Sequence, residues 1–153
     1  MTIHVRALDL FAMEAALEEA RAAADADEVP VGAVLIHDGV IVARTHNRMR
    51  RDADATAHAE VSALREGARV LGDRLREATL VVTMEPCAMC AGAIVLSRVQ
   101  RLVFGAWDAK AGMCGSVGDL VRHSKLNHRP EVLGGVAQDE SVRLLQEFFA
   151  ARR

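Results

Sequence analysis

The sequence predicts a three-layer α/β/α domain in which helices cover both faces of one mixed sheet of about five strands. Helical stretches alternate with short, strongly apolar strands, a pattern typical of a sheet that is buried on both faces. The residues are 51% apolar and only 3% aromatic, which indicates a core of small aliphatic side chains. The 153 residues suit a single domain, 1–153, because two separate cores would each be near the lower size limit for folding.

The first elements are a helix and a β-hairpin. Residues 8–24 contain no helix breaker and place apolar side chains every three or four positions, so we predict an amphipathic helix that ends before Pro30. Two β-branched runs, 31–36 and 40–45, flank a His-Asp-Gly sequence in which Asp-Gly favours a tight turn. These two runs are therefore predicted to pair as a hairpin.

A polar, basic loop at 47–56 leads into the middle of the chain. Helical spacing of apolar residues returns over 57–71, and a third strand is predicted at 79–84. Pro86 then occupies a position typical of the start of a helix, where its missing N–H is tolerated. We therefore predict a helix at 87–96, with both cysteines of the Pro-Cys-Ala-Met-Cys segment on its first turn.

The last third of the chain is predicted to add two strands and two helices. Residues 101–104 and 131–136 form the strands, separated by a glycine-containing loop with a short helix near 117–123. Residues 139–150 form the final helix. The sequence has no internal repeat or low-complexity segment that would favour another architecture.

Four residues carry the chemistry: His58, Glu60, Cys87 and Cys90. Because positions i and i+3 share one face of a helix, the two sulfurs can converge on one ion, and the helix dipole favours their thiolate form. With the histidine they make three ligands, and zinc prefers four, so one position remains for water or substrate. Zinc lowers the pKa of bound water toward about 7, and Glu60 is well placed to carry the proton. We predict one zinc ion per chain.

Each half of this pattern also has another interpretation. A Cys-x-x-Cys pair occurs in redox sites and as two buried cysteines, and glutamate is common at helix starts because it complements the helix dipole. The combination of His-x-Glu with a later Pro-Cys-x-x-Cys is the signature of zinc deaminases. The combination therefore favours a catalytic zinc site.

With these motifs the sequence resembles the cytidine-deaminase superfamily and, within it, the bacterial tRNA-specific adenosine deaminases. The resemblance covers nearly the whole chain. The matching segments are Glu28-Val29-Pro30-Val31-Gly32-Ala33-Val34, Asn47, Thr56-Ala57-His58-Ala59-Glu60, Thr83, residues 85–93, Phe104-Gly105-Ala106 with Asp108, Asn127-His128-Arg129 and Glu147-Phe148-Phe149. It implies a cytidine-deaminase-like fold, a homodimer, and hydrolytic deamination of adenosine to inosine at the first (wobble) anticodon position of tRNA by zinc-activated water.

The resemblance also implies roles for eight further residues. Asn47 and the backbone of Ala59 would hydrogen-bond the target nucleoside. Pro30 and Val31 would form a wall of the base pocket. Those that would face the RNA are Asp108, Lys110, Phe148 and Phe149. From the residues alone, Asn47 is equally an ordinary turn residue, Asp108 and Lys110 are equally a solvated pair, and one phenylalanine is equally an apolar anchor of the last helix.

Three features fall outside the family motifs. Residues 54–56 lack the proline that often precedes Thr-Ala-His-Ala-Glu in the family. Trp107 places a large ring beside Asp108, where it either stacks on a base or packs inward. Cys114 has no partner in the motifs and is expected to fill a small apolar space.

The charge distribution favours a nucleic-acid substrate. The net charge is −2, but residues 1–40 hold eight acidic and two basic side chains, whereas residues 41–153 hold 13 and 17. The basic side chains expected around the site are Arg48, Arg50, Arg51, Lys110, Arg122, His123, Lys125, His128 and Arg129. They argue against the second hypothesis, a free-base or nucleoside deaminase that acts on guanine, cytosine or cytidine with the same zinc site. A third hypothesis, a zinc or RNA-binding module without catalysis, needs a fourth protein ligand such as His123 or His128.

Composition also bears on location. No apolar run approaches the roughly 20 residues that span a bilayer, and the N-terminus lacks the pattern of a secretory signal. Three cysteines, two of them in a metal-ligand spacing, fit a reducing compartment. We therefore expect a cytoplasmic protein that binds a tRNA anticodon stem-loop and no membrane.

Overall fold

The computed structural model describes residues 3–152 and confirms the predicted three-layer α/β architecture. The helices are α1 (Ala7–Asp25), α2 (Ala59–Leu71), α3 (Ala88–Ser97) and α4 (Gln138–Ala150). The strands are β1 (Gly32–His37), β2 (Val40–His46), β3 (Thr79–Met84), β4 (Arg101–Ala106) and β5 (Glu131–Leu133). Residues 1, 2 and 153, the ends of the predicted domain, lie outside the described part of the chain.

The five strands form one mixed sheet in the order β2-β1-β3-β4-β5. β1 pairs antiparallel with β2 through the predicted Asp38-Gly39 turn, and antiparallel with β3 on its other side. β3, β4 and β5 run parallel to one another, so their carboxyl ends meet at one edge of the sheet. This edge carries the candidate site.

Helices cover both faces of the sheet because alternate residues of each strand point in opposite directions. On one face α1 packs against Val34, Ile36, Val81 and Val103, and Leu144 of α4 joins the same cluster. On the other face residues of α2 and α3 pack against Leu35, Leu80, Val82, Leu102 and Phe104. Many of the buried helix residues are alanines, as the composition predicts. Among residues 3–152, no helix is both long and apolar enough to cross a membrane.

The short helix predicted near 117–123 is wrong. This segment consists of turns, with an isolated β-bridge between Cys114 and Asp119. Just before it, the backbone N–H groups of Cys114 and Ser116 donate to the carboxylate of Glu85. Gly115, with a φ of 140°, is also outside the helical region. Bonds to a distant side chain and a non-helical backbone therefore hold the chain directly before 117–123, and this segment continues as turns.

Several element boundaries also differ from the prediction by one to three residues. The fifth strand ends at Leu133 and not at residue 136, because Gly135 has a φ of 82°. α2 begins at Ala59, two residues later than predicted, since His58 has an extended backbone and acts as its N-cap. α3 begins at Ala88 with Cys87 as its N-cap. Two of the predicted metal ligands are therefore helix caps.

Candidate active site

A cavity of about 200 Å³ opens at the carboxyl ends of β3 and β4. The predicted site residues that line it are Val31, Asn47, His58, Ala59, Glu60, Cys87 and Asp108. They come from the segment before β1, the end of β2, the start of α2, the start of α3 and the loop after β4. The antiparallel hairpin and the parallel strands thus bring distant parts of the chain to one edge of the sheet.

The three predicted metal ligands form a compact group. Nδ1 of His58 lies 3.6 Å from Sγ of Cys87 and 3.5 Å from Sγ of Cys90, and all three ligand atoms lie within 4.8 Å of one another. Tetrahedral zinc with Zn–S bonds of about 2.3 Å and Zn–N bonds of about 2.0–2.1 Å requires an S···N separation of about 3.6 Å. The donor set and its spacing therefore fit zinc.

The number of ligands fits a catalytic ion and not a structural one. Among the residues that the structure describes, neither His123 nor His128 joins the group. Nε2 of His128 instead lies 2.6 Å from the carbonyl oxygen of Val99, at the start of β4. The fourth protein ligand that a non-catalytic zinc module would need is thus missing from the described residues, which argues against that hypothesis.

The ionisation of the ligands suits a cation. Hydrogen bonds from the side chains of Cys90 and His58 lower the pKa of Cys87 to about 3. The same contact with Cys87, together with burial, raises the pKa of Cys90, because two adjacent thiolates repel each other. A bound dication removes this repulsion and holds both sulfurs as thiolates. The hydrogen bond to Cys87 also raises the pKa of His58.

Glu60 lies in the first turn of α2 and is buried beside the metal ligands. Burial raises the pKa of its carboxyl group to about 7, and the nearby positive charge of His58 only partly offsets this. A carboxyl group with such a pKa can both accept and donate a proton near neutral pH. Glu60 therefore has the position and the proton affinity of a general acid–base group.

Of the two residues predicted to form a wall of the base pocket, the structure brings only Val31 to the cavity. Val31 lines the cavity, but Pro30 is buried and does not line it, whereas Val29 does. The N–H of Val31 donates to the carbonyl of Val29 (2.8 Å), which forms a γ-turn centred on Pro30. This turn brings the two valines, and not the proline, to the pocket.

Asn47 and Ala59 each retain a donor for a ligand. Oδ1 of Asn47 accepts the N–H of Met49 (3.2 Å) and its Nδ2 donates to Val29 (3.5 Å), which uses one of its two amide hydrogens. The carbonyl of Ala59 accepts the hydroxyl of Thr45 (2.7 Å), so its N–H, at the start of a helix, is the group available to the cavity.

Sequence reasoning missed the role of Glu85. This buried side chain lines the cavity, and its carboxylate accepts the backbone N–H groups of Asp108 (2.9 Å), Cys114 (3.0 Å) and Ser116 (3.0 Å), and the hydroxyl of Ser116. Burial opposes ionisation, but these donors hold the pKa of Glu85 below its ordinary value. The signals available in the sequence were a charged residue directly after an apolar strand and its place in the segment 85–93 that matches the family.

A second buried glutamate, also missed, holds the opposite side of the cavity. Glu28 accepts the backbone N–H groups of Arg50 (3.0 Å) and Arg51 (2.9 Å). It thereby positions the basic loop that follows Asn47. Two buried carboxylates therefore anchor the two loops at the rim of the cavity.

The residues predicted to face RNA differ in exposure. Asp108 lines the cavity, but its Oδ1 also accepts the N–H groups of Lys110 (3.0 Å) and Ala111 (3.2 Å) and so shapes its own loop. Lys110 is exposed on that loop. Phe149 is 48% exposed, whereas Phe148 is buried and lies beneath the guanidinium of Arg152. Phe148 thus packs as an apolar anchor of α4, which favours Phe149 as the ring that faces RNA, and the predicted contact of Phe148 with RNA stays a prediction.

The basic residues expected around the site do not form one cluster. Arg48 pairs with Asp52 (3.2 Å), Arg122 pairs with Asp119 (2.6 Å), and Arg50 pairs with Asp27. The expectation for His128 and Arg129 is wrong, because both line a separate groove with Arg76 and Arg98. They precede β5, and the parallel strands begin at the edge opposite the cavity.

Comparison with known proteins places this arrangement in a family. Residues 7–106 match the cytidine and deoxycytidylate deaminase zinc-binding region. The chain is 46% identical over 142 residues to the tRNA-specific adenosine deaminase of Bacillus subtilis. The aligned region covers 92% of this chain and 88% of that protein. A solved structure from a study of A-to-I editing by tRNA:A34 deaminases at the wobble position has a TM-score of 0.85 at 46% identity, over 88% of this chain and 99% of that one.

The chain therefore belongs to the family of zinc-binding cytidine and deoxycytidylate deaminases, and it is a zinc-dependent deaminase. Within this family it is similar to the tRNA-specific adenosine deaminases, at 46% identity. The guanine deaminase from Nitrosomonas europaea is a more distant relative, with a TM-score of 0.80 at 26% identity over 97% of this chain and 87% of that one. The family motifs and fold that the sequence indicates are thus confirmed.

Proposed function

We propose that this chain hydrolyses adenosine to inosine and ammonia at the first anticodon position of tRNA. The observation that carries the chemistry is a single cavity that combines the group His58, Cys87 and Cys90 with the buried acid Glu60. The similarity to tRNA-specific adenosine deaminases supports the substrate. The shared sheet beneath both helix layers supports one domain over residues 1–153.

In this proposal the three ligands hold one zinc ion, which when bound supplies an activated water for hydrolysis. Glu60 would accept one proton of the water and deliver it to the adenine ring nitrogen, and would then accept the second proton from the new hydroxyl on C6 and deliver it to the leaving amino group, which departs as ammonia. The pKa of about 7 allows Glu60 to act in both directions near neutral pH. The spare amide hydrogen of Asn47 and the N–H of Ala59 orient the base, and Val29 and Val31 pack against it.

In this proposal, the loop after β4 and the end of α4 contact the rest of the anticodon stem-loop. Asp108 and Lys110 lie on the loop held by Glu85, so the proposal places them against the RNA backbone and neighbouring bases. Phe149 offers an exposed ring in the last turn of α4. These remote contacts would supply the binding energy that positions the base, which is why a free nucleoside is expected to react poorly. A tRNA substrate also agrees with the cytoplasmic location expected from the composition.

A homodimer is the second part of the proposal. One side of α3 is apolar yet uncovered: Leu96 is 77% exposed, and Met89, Gly92 and Ala93 lie at helical spacing from it and are only partly buried. A second copy of the chain would cover this surface. Sedimentation at micromolar concentration should therefore give a dimer, and Leu96→Glu should give a monomer. A monomeric parent protein would contradict this part of the proposal.

The substrate is tested by nucleoside analysis. A tRNA anticodon stem-loop with adenosine at the first anticodon position should gain inosine, whereas free adenosine, cytidine and guanine should be converted poorly. A stem-loop with guanosine at that position serves as the matched control. Rapid turnover of free guanine without inosine in the RNA would instead support a free-base or nucleoside deaminase. The similarity to a guanine deaminase is the observation that favours this alternative.

A further inference from the structure

We propose that Trp107 is a stacking platform for an unpaired base that flanks the target nucleotide. The proposal rests on the RNA substrate proposed above and concerns how that RNA is held. Trp107 directly follows β4 and precedes Asp108, which lines the cavity. It is 49% exposed, so a large part of the ring is accessible to a partner.

The inner side of the Trp107 indole packs against other residues of the chain. It packs edge-on against the fully buried ring of Phe104, with ring centroids 4.8 Å apart and an interplanar angle of 87°. Two backbone segments approach its edges: a Cβ atom on Gly134 would lie 2.7 Å from Cζ2, and one on Gly115 would lie 3.2 Å from Cζ3. Glycine at these positions leaves room for the ring. A ring that is already immobile loses little conformational entropy when a base stacks on it.

The guanidinium cation of Arg122 lies near the Trp107 indole. A guanidinium nitrogen of Arg122 would lie 3.3 Å from the same Cβ position on Gly115, so it is close to the indole. The guanidinium is oriented by Asp119 (2.6 Å) and by the carbonyl of Cys114 (3.0 Å), and its remaining N–H groups are available. An aromatic ring beside a cation is the combination that binds single-stranded nucleic acid, because the base stacks and the phosphate meets the charge.

Intrinsic fluorescence tests the platform directly. Trp107 is the only tryptophan and the chain has no tyrosine, so emission reports this ring alone. The variant Glu60→Ala, which should bind RNA without turnover, is titrated with the anticodon stem-loop. We expect the emission to be quenched and the ring to become less accessible to acrylamide. An abasic nucleotide beside the target position should restore the emission, whereas an abasic nucleotide in the stem should not.

Substitutions separate base stacking from packing against Phe104. Trp107→Leu should raise KM for the stem-loop by about 5- to 150-fold, the range for loss of one base–aromatic contact, and Trp107→Phe should recover part of the loss. Zinc content should not change. The matched control is Phe11→Leu, which removes a ring that is 61% exposed on α1. Phe11 lies two residues after Asp9, and the carboxylate of Asp9 pairs with Arg101 at the start of β4. The cavity lies at the other end of β4, so Phe11→Leu should not change KM.

The outcomes are distinguishable. Stem-loop RNA that binds Glu60→Ala without any change in indole emission, while the parent protein converts the same RNA to inosine, overturns the platform and leaves the proposed function standing. A lower melting temperature for Trp107→Leu with an unchanged KM has the same consequence, because it assigns the ring to packing alone. Failure of the stem-loop to bind overturns the platform and the proposed function together.

Discussion

Glu60 and Glu85 line the same cavity and expose only 4% and 3% of their surface, but Glu60 is enclosed more deeply by the protein, and their pKa values shift in opposite directions. Burial raises the pKa of Glu60 to about 7. At Glu85, donors from Asp108, Cys114 and Ser116 overcome burial and hold the pKa below its ordinary value. Low exposure alone therefore does not decide the charge of a carboxyl group. The depth of burial and the donors that face the group together decide whether it is a fixed anion or a proton carrier.

The comparison divides the cavity into a chemical side and a structural side. Glu60 adjoins the metal ligands, where a proton must move during hydrolysis. Glu85 anchors the loop that carries Trp107, Asp108 and Lys110. Substitutions on the two sides should therefore affect different measurements, and four experiments test this division.

The largest effect should come from the metal ligands. Cys87→Ser or His58→Ala removes one of three protein ligands, so zinc and all deaminase activity should be lost. The loop held by Glu85 should remain folded, because its hydrogen bonds do not involve these residues. Elemental analysis and circular dichroism check both statements. A metal-free protein that remains active in the presence of a chelator would contradict the zinc assignment.

Glu60→Gln should lower kcat by about 10²- to 10⁴-fold, the usual contribution of general acid–base catalysis. Zinc content and RNA affinity should stay the same, because Glu60 is not a ligand and the amide has nearly the same shape. The matched control is Glu66→Gln, an exposed position on the same helix, which should leave kcat unchanged. Equal losses in both variants, or loss of zinc from Glu60→Gln, would remove the distinction between proton carrier and ligand.

Glu85→Gln should act mainly on stability and on KM. The amide cannot accept all the donors that face the carboxylate, so we expect a loss of about 2–4 kcal/mol in the free energy of unfolding. The loose loop should raise KM for the stem-loop, while zinc is retained. Chemical denaturation and steady-state kinetics measure the two effects. A variant with unchanged stability and a large loss of kcat would instead place Glu85 on the chemical side.

The smallest effect should come from Lys110→Ala, an exposed residue on the same loop. It should weaken stem-loop binding in a salt-dependent way, with the slope of log K against log salt shallower by about 0.7–0.9. Arg129→Ala is the matched control, since Arg129 lines the groove at the other end of the sheet. A larger effect from Arg129 than from Lys110 would mean that RNA crosses that second groove.

Much of the fold and the centre of the site could be predicted because their signals are local. Apolar runs marked the strands, helical spacing marked α1 and α2, and Pro86 marked the start of α3. The ligand pattern is also local: Cys87 and Cys90 are three residues apart at one helix start, and His58 and Glu60 are two apart at another. Such spacings determine which side chains share a face before any tertiary contact forms.

Only the tertiary structure decided the surroundings of that centre. Glu85 meets donors that are 23 to 31 positions away, and these bonds hold the loop directly before 117–123, where the predicted helix does not form. The packing of α4 buries Phe148 and exposes Phe149, although the two are adjacent and chemically identical. The direction of the parallel strands carries His128 and Arg129 away from the cavity. The sequence by itself determined the reacting groups through short spacings, whereas their environment depended on long-range contacts that no local pattern records.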